Sequence, residues 1–126
     1  MRIASLDHLV LTVADLDATV EFYERLGMWR EDFEDGRVAL RFGAQKLNLH
    51  LAGEEIVPHA RVARPGSADL CFLIEGSLEA AEQGLRAAAI PIELGPVERT
   101  GALGALRSLY VRDPDGNLVE LSEAVG

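Results

Sequence analysis

Cysteine is almost absent from this chain: Cys71 is the only one in 126 residues. A single cysteine excludes an internal disulfide and a structural zinc site built from cysteine pairs. It suits a reducing, cytoplasmic setting. No His or Lys lies near Cys71 in sequence to lower its pKa, so it reads as a small buried residue in an apolar strand and not as a nucleophile. Cations are scarce too, with 12 Lys and Arg against 21 Asp and Glu, a net charge of -9. Nucleic-acid phosphates and anionic membrane surfaces both demand the positive charge this chain lacks. Aromatic residues make up only 6% of the chain, which limits its stacking surface. No apolar run is long enough to span a bilayer, and the N-terminus shows no signal-peptide pattern. A Gly-x-Ser-x-Gly elbow and a Gly-x-x-x-x-Gly-Lys-Ser/Thr phosphate loop are both missing. Gly101-Ala102-Leu103-Gly104 is too weak a glycine signal to mean phosphate.

What is present is enough apolar material, 48% of residues, to bury a core in a chain of ordinary single-domain length. Leu6 to Val13 reads as a mostly buried strand. Asp15 offers an N-cap, and Leu16, Val20, Tyr23 and Leu26 then fall three or four apart on one helical face, with Gly27 at the C-terminal stop. Strands follow over Trp29 to Glu34 and Arg37 to Phe42, joined by a turn at Asp35-Gly36. Lys46 to Leu51 is a further strand, with Asn48 and His50 on one face. Ala52 to Ser67, holding Gly53, Pro58, Pro65 and Gly66, reads as a linker. His59 within it reads as a solvated loop residue.

The pattern then restarts. Ala68 to Ile74 reads as a strand, and Ser77 caps a helix running to about Ala89. Pro91 to Leu94 is a short strand and Ala105 to Arg112 a longer one. Asp113-Pro114-Asp115-Gly116 marks a turn, and Leu118 to Ser122 is the last strand. Each half is β-α-β-β-β. The halves align at an offset of 61 at the start, matching His8 to Asp69, and of 70 at the end, matching His50 to Glu120. The growth in offset places about eight extra residues at Gly95 to Gly104, read as a glycine-rich loop that either covers a site or is a plain surface excursion.

A repeat of this kind closes equivalent positions around a pseudo-twofold axis. His8, His50, Asp69 and Glu120 then form a candidate metal site of two imidazoles and two carboxylates. Mixed nitrogen and oxygen ligation suits a divalent ion: Ni, Zn, Mn, Co or Fe. His50 and Glu120 each interrupt an apolar stretch, which costs free energy unless the group is paired or bound.

Leu6-Asp7-His8-Leu9-Val10-Leu11-Thr12-Val13-Ala14-Asp15-Leu16, Phe22-Tyr23, Leu26-Gly27-Met28 and Asp113-Pro114-Asp115-Gly116-Asn117-Leu118-Val119-Glu120-Leu121 together resemble the vicinal oxygen chelate superfamily. That is the glyoxalase, bleomycin-resistance and extradiol-dioxygenase group. Asn48-Leu49-His50, Pro65-Gly66-Ser67-Ala68-Asp69-Leu70-Cys71 and Glu98-Arg99-Thr100-Gly101 are most similar to uncharacterised glyoxalase-domain members. The resemblance covers nearly the whole chain. It implies an α+β fold of two βαβββ modules forming a half-open mixed sheet around a cleft. Residues 1–126 then form one domain, with module one at about 1–52, the linker at 53–67 and module two at 68–126. It further implies a divalent ion held by residues of the first and last strands of each module.

In glyoxalase I-like members the ion chelates neighbouring substrate oxygens while a carboxylate moves a proton through an enediolate. The implied activity is a lactoylglutathione lyase-like lyase or isomerase, with His8, His50 and Glu120 on the ion, Asp69 as fourth ligand or general base, and Glu120 able to accept a proton. Two ligand types depart from the family: Asp69 stands where His is common, and His50 where a carboxylate is common. His8, Asp69 and Glu120 do not supply the two His and one carboxylate of an extradiol dioxygenase. The helix ending Phe22-Tyr23-Glu24-Arg25-Leu26-Gly27-Met28 is one residue shorter than usual, which predicts a tightened end. The rival readings are a non-catalytic antibiotic-binding resistance protein and a metal-dependent thiol transferase. Arg41, sharing a face with Asn48 and His50, Arg107, sharing one with Glu120 and Ser122, and Arg99 and Thr100 on the loop are candidate contacts to an anionic substrate. Such modules often pair between chains, so a homodimer is expected.

Overall fold

The computed structural model describes residues 1–126. Its elements run β1 (His8–Val13), α1 (Leu16–Arg25), β2 (Trp29–Phe33), β3 (Arg37–Phe42), β4 (Gln45–Leu51), β5 (Asp69–Leu73), α2 (Leu78–Ala87), β6 (Leu94–Gly101), β7 (Gly104–Arg112) and β8 (Leu118–Ala124). The chain divides into two compact units, Met1–Ser67 and Ala68–Gly126. Each holds one four-stranded mixed sheet, ordered β1-β4-β3-β2 in the first and β5-β8-β7-β6 in the second. This is an α+β fold of two βαβββ modules. In each, the parallel pair is the first and last strand, because the helix carries the chain across between them.

Both helices begin alike. Asp15 Oδ1 accepts from the Ala18 amide at 2.9 Å, and Ser77 Oγ from the Ala80 amide at 3.1 Å. They also end alike. The Met28 amide reaches back to the Tyr23 carbonyl and the Ile90 amide to the Leu85 carbonyl. In α1 the Leu26 and Gly27 amides bond three residues back, to Tyr23 and Glu24, which is the tightened end the short Tyr-to-Leu-Gly spacing predicts. The residue turning each chain out of the helix has positive φ, Gly27 at 96° and Ala89 at 56°.

In the first unit, Leu11, Val13, Leu40, Leu47 and Leu49 are buried with Val20 and Tyr23 of α1. In the second, Leu109, Val111, Val119 and Leu121 are buried with Leu78 and Leu85 of α2. Strand alternation sends these residues to the helix side and leaves each sheet a helix-free face. The side is marked by Arg30, which approaches Asp17 of α1, and by Arg107, which bonds Glu79 at the start of α2.

Two elements differ from the sequence reading. Gly95 to Gly104 is no loop: β6 runs from Leu94 to Gly101 and pairs antiparallel with β7 through a tight turn at Gly101–Gly104. Gly104 has φ 140° and Gly101 sits where a Cβ would press on the Leu106 side chain. Here glycine serves a hairpin and a close packing contact. The second difference is Cys71, which is exposed and not buried. Its place opposite Glu120 puts it on the helix-free face, away from the apolar side of β5.

Candidate functional site

The motif Asp113-Pro114-Asp115-Gly116-Asn117 builds the end of the second sheet. Asp113 Oδ1 accepts from the Asp115 and Asn117 amides, each at 2.9 Å, and Asp113 Oδ2 from Asn117 Nδ2 at 2.8 Å. Asn117, 1% exposed, then uses Oδ1 to accept from the Ala68 amide at 2.8 Å. The Leu118 amide donates to the Ala68 carbonyl in turn. One turn thus locks the start of β8 to the start of β5 and sets Asp69 opposite Leu118, with Cys71 opposite Glu120.

Glu120 is held firmly. Ser108 Oγ donates to its Oε2 at 2.6 Å, and Ser122 Oγ approaches the same oxygen at 3.3 Å. The two serines are fully buried and 2.7 Å apart. Both address Oε2. Cys71 Sγ lies 3.3 Å from Ser122 Oγ. Desolvation of the thiol, with Glu120's charge adding to it, raises its pKa and keeps it protonated at neutral pH. Asp69 lies exposed on the same face, two positions along the ladder from Cys71 and Glu120.

In the first unit His8 opens β1 on the helix-free face. Its Nδ1 lies 2.8 Å from Asp7 Oδ1, and the His8 hydrogen bond, then its charge, lowers the Asp7 pKa. An ionised carboxylate only accepts, so Nδ1 is the donor in this pair, and in the neutral tautomer that fits it the lone pair is on Nε2. This is how a carboxylate orients an imidazole for a metal. His50 and Asn48 lie on the same face of β4, 7% and 3% exposed. Neither His50 nitrogen nor Asn48 Oδ1 has a hydrogen-bond partner.

The ladders correct the internal alignment. His8 lies opposite Lys46, and Asp69 opposite Leu118. If His8 is equivalent to Asp69, then Asn48, not His50, is equivalent to Glu120, and His50 to Ser122. The apolar pattern tolerated the slip because a two-residue shift keeps every side chain on its face. His50 lies four residues beyond Lys46, about 13 Å along the ladder from His8 at 3.3 Å per residue. Two imidazoles standing side by side that far apart cannot share one ion. Within neither unit do three His, Cys, Asp or Glu side chains gather to hold a metal. The candidate donors are His8 in the first unit and, in the second, Asp69 and the serine-anchored Glu120.

The candidate anion contacts separate by face. Arg41 lies opposite Lys46 on the helix-free face, as expected, but its Nε donates to Glu31 Oε2 at 2.6 Å. Arg107 does not share a face with Glu120 and Ser122. Ser108 takes the position opposite Ser122, which turns Arg107 to the helix side, where it bonds Glu79 at 3.1 Å. Arg99 and Thr100 lie on β6, not on a flap. Arg99 opposes Leu106 on the helix-free face and donates to Tyr110 Oη at 2.9 Å, while Thr100, one residue on, faces the other way. Sequence reasoning missed Ser108 and Ser122. Their signal was polarity inside otherwise apolar strands, the same signal that singled out His50 and Glu120.

The family model described as the Glyoxalase/Bleomycin resistance protein/Dioxygenase superfamily matches residues 5–121. The glyoxalase domain-containing protein RDO1 of Mycosarcoma maydis is 53% identical over 122 residues, covering 97% of this chain and 69% of the relative. Virulence protein STM3117 of Salmonella typhimurium is 50% identical over 126 residues, covering 99% and 88%. Its crystal structure superposes with a TM-score of 0.97, over 99% of this chain and 100% of that one. The crystal structure of lactoylglutathione lyase from Agrobacterium tumefaciens is 26% identical, with a TM-score of 0.75, over 98% and 96% of the two chains.

Proposed function

Because this chain belongs to the glyoxalase/bleomycin resistance protein/dioxygenase superfamily, we propose that it is a divalent-metal-dependent lyase or isomerase of glyoxalase type, acting in the cytoplasm on a small substrate with neighbouring oxygens. The observation that carries the reading is the anchoring of Glu120: two buried serines orient its carboxylate through one oxygen on a helix-free sheet face, and no cation is paired with it. His8, Asp69 and Glu120 would hold the ion, and its chemistry would be to stabilise negative charge developing on the substrate oxygens. Asp7 fixes the tautomer of His8. Glu120 and Asp69 are the groups able to accept a proton from substrate carbon, Glu120 from a position preset by Ser108. The likeness to a lactoylglutathione lyase over nearly the full chain supports this class of reaction. The expected working form is a homodimer.

The test is metal content and turnover. The purified chain loaded with Ni or Zn is expected to hold the ion stoichiometrically and to convert hemithioacetals of methylglyoxal. Glu120→Gln and His8→Ala are each expected to lower kcat/KM by about two orders of magnitude or more. Failure of Ni, Zn, Mn, Co and Fe(II) all to bind would overturn the reading. Metal binding that survives in the His8→Ala and Glu120→Gln variants would overturn the ligand assignment.

A further inference from the structure

Three polar atoms on β4 are buried and unanswered: Asn48 Oδ1 and both ring nitrogens of His50. An unpaired buried polar atom costs about 1–3 kcal/mol, so three within two positions of one strand point to a missing partner. The protein does not supply one nearby. Asn48 has Val10 of β1 on one side and Ala39 of β3 on the other, neither with a polar side-chain group. Thr12 lies across from His50 and adds a hydroxyl to the same face. The loop after β4 returns to this end of the strand. Glu55 and His59 both act electrostatically on His50, and Glu55 Oε2 is itself buried without a partner. Arg37 is close enough to oppose protonation of His50, and its guanidinium lies over the Phe33 ring at 4.8 Å. None of these groups belongs to the ion-holding set, and Asp69 and Glu120 lie in the other unit.

Hydrogen-bond bookkeeping narrows the chemistry of a partner. Asn48 Oδ1 accepts, and a neutral imidazole offers one donor and one acceptor. The three atoms together ask for at least two hydrogens and one lone pair, and Glu55 asks for a further hydrogen. A bare carboxylate or phosphate brings no hydrogen for Asn48. A hydrocarbon brings nothing. Neighbouring hydroxyls, each both donor and acceptor, answer all three. We propose that Asn48 and His50 form a recognition pair for a hydroxyl-bearing small molecule of vicinal-polyol type, and that His50 is not a metal ligand. The site is built in the first unit alone and stands whether or not the metal reading holds.

The test uses the intact protein and two polyol probes, erythritol and gluconate, with acetate as control. The ring nitrogens of His50 are followed by long-range proton–nitrogen NMR above about pH 7, where an ordinary imidazole is neutral. Saturable shifts of both nitrogens with erythritol and gluconate, and none with acetate, are expected. Asn48→Leu and His50→Phe are each expected to weaken polyol binding about tenfold or more. Both are expected to melt no earlier than the parent, because replacing an unpaired polar group with an apolar one of similar shape is near neutral or stabilising. If a substitution prevents folding, the NMR titration of the unaltered chain still decides. The proposal is overturned by an absence of shift with either polyol, by an equal response to acetate, or by unchanged affinity in folded variants. Direct ligation of Zn by a His50 nitrogen, seen as a large shift of that nitrogen at one equivalent of the diamagnetic ion, would overturn it too.

Discussion

Two residues carry most of the chemistry of their strands, and they are polarised in opposite ways. Glu120 is satisfied on one oxygen by Ser108 and Ser122. Removing the shorter of these contacts with Ser108→Ala frees the carboxylate to rotate without removing a ligand. Outer-shell partners of this kind are typically worth 10–100-fold in metal affinity, and a loss in that range is expected by competition with a chelating dye while the thermal midpoint stays close to the parent. A loss of folding with metal affinity unchanged would instead make the serine purely structural. His50 is unsatisfied, and burial, with Arg37's charge adding to it, holds its pKa below the ordinary 6.5. As pH falls, the unfolded chain takes up this proton before the folded one. The His50 contribution to stability is therefore complete above about pH 6.5 and is lost progressively below it. Thermal midpoints measured from about pH 8 to pH 5 should fall less steeply in His50→Phe than in the parent. Equal slopes would show that His50 does not titrate on unfolding.

At the scale of elements, the two helices show how far local physics reaches. Both end in the same bonded turn, but α1 leaves it through Gly27 and α2 through Ala89, whose φ of 56° is left-handed. An L-residue with a Cβ meets strain there of roughly 1–2 kcal/mol, while glycine does not. Ala89→Gly is expected to raise unfolding stability by about 1 kcal/mol, net of the entropy glycine adds to the unfolded chain. A denaturant titration with unchanged slope checks this, and a destabilised variant would contradict it. Caps, helix faces and the end motif were legible in the sequence because each depends on residues within a few positions. The pairing of His50 with Glu120 was not, since strand register is fixed across 38 residues by the β1–β4 ladder, and a two-residue slip leaves the apolar alternation intact. Arg107 was misplaced for a related reason. A one-residue error across the Asp113–Asn117 turn moves a side chain to the opposite face, and Ser108, not Arg107, lies opposite Ser122. The strand β6 was read as a loop because glycines at positions 95, 101 and 104 look permissive in sequence. In the fold they serve a hairpin turn and contacts too close for a side chain.

For the molecule as a whole, the question is what the open sheet edges pair with. β1 and β5 each form an edge of their sheet, so each offers unpaired backbone groups on one side. Each also carries an exposed large apolar residue on its helix-free face: Val10 is 41% exposed and Leu73 64%. Apolar side chains on exposed strand edges are what an interface between copies would cover. A self-complementary dimer is therefore expected in sedimentation at micromolar concentration. Leu73→Asp, which places a charge on this edge without touching a candidate ligand, should shift the chain to monomer while leaving its fold intact by circular dichroism. If the ligands are shared between copies, that monomer should also lose metal, and raising the protein concentration should restore dimer and metal together. A Leu73→Asp monomer that keeps its metal would place all the ligands within one chain. A parent chain that sediments as a monomer would remove the dimer from the proposal, leaving Glu120, Asp69 and His8 to be tested as ligands on their own.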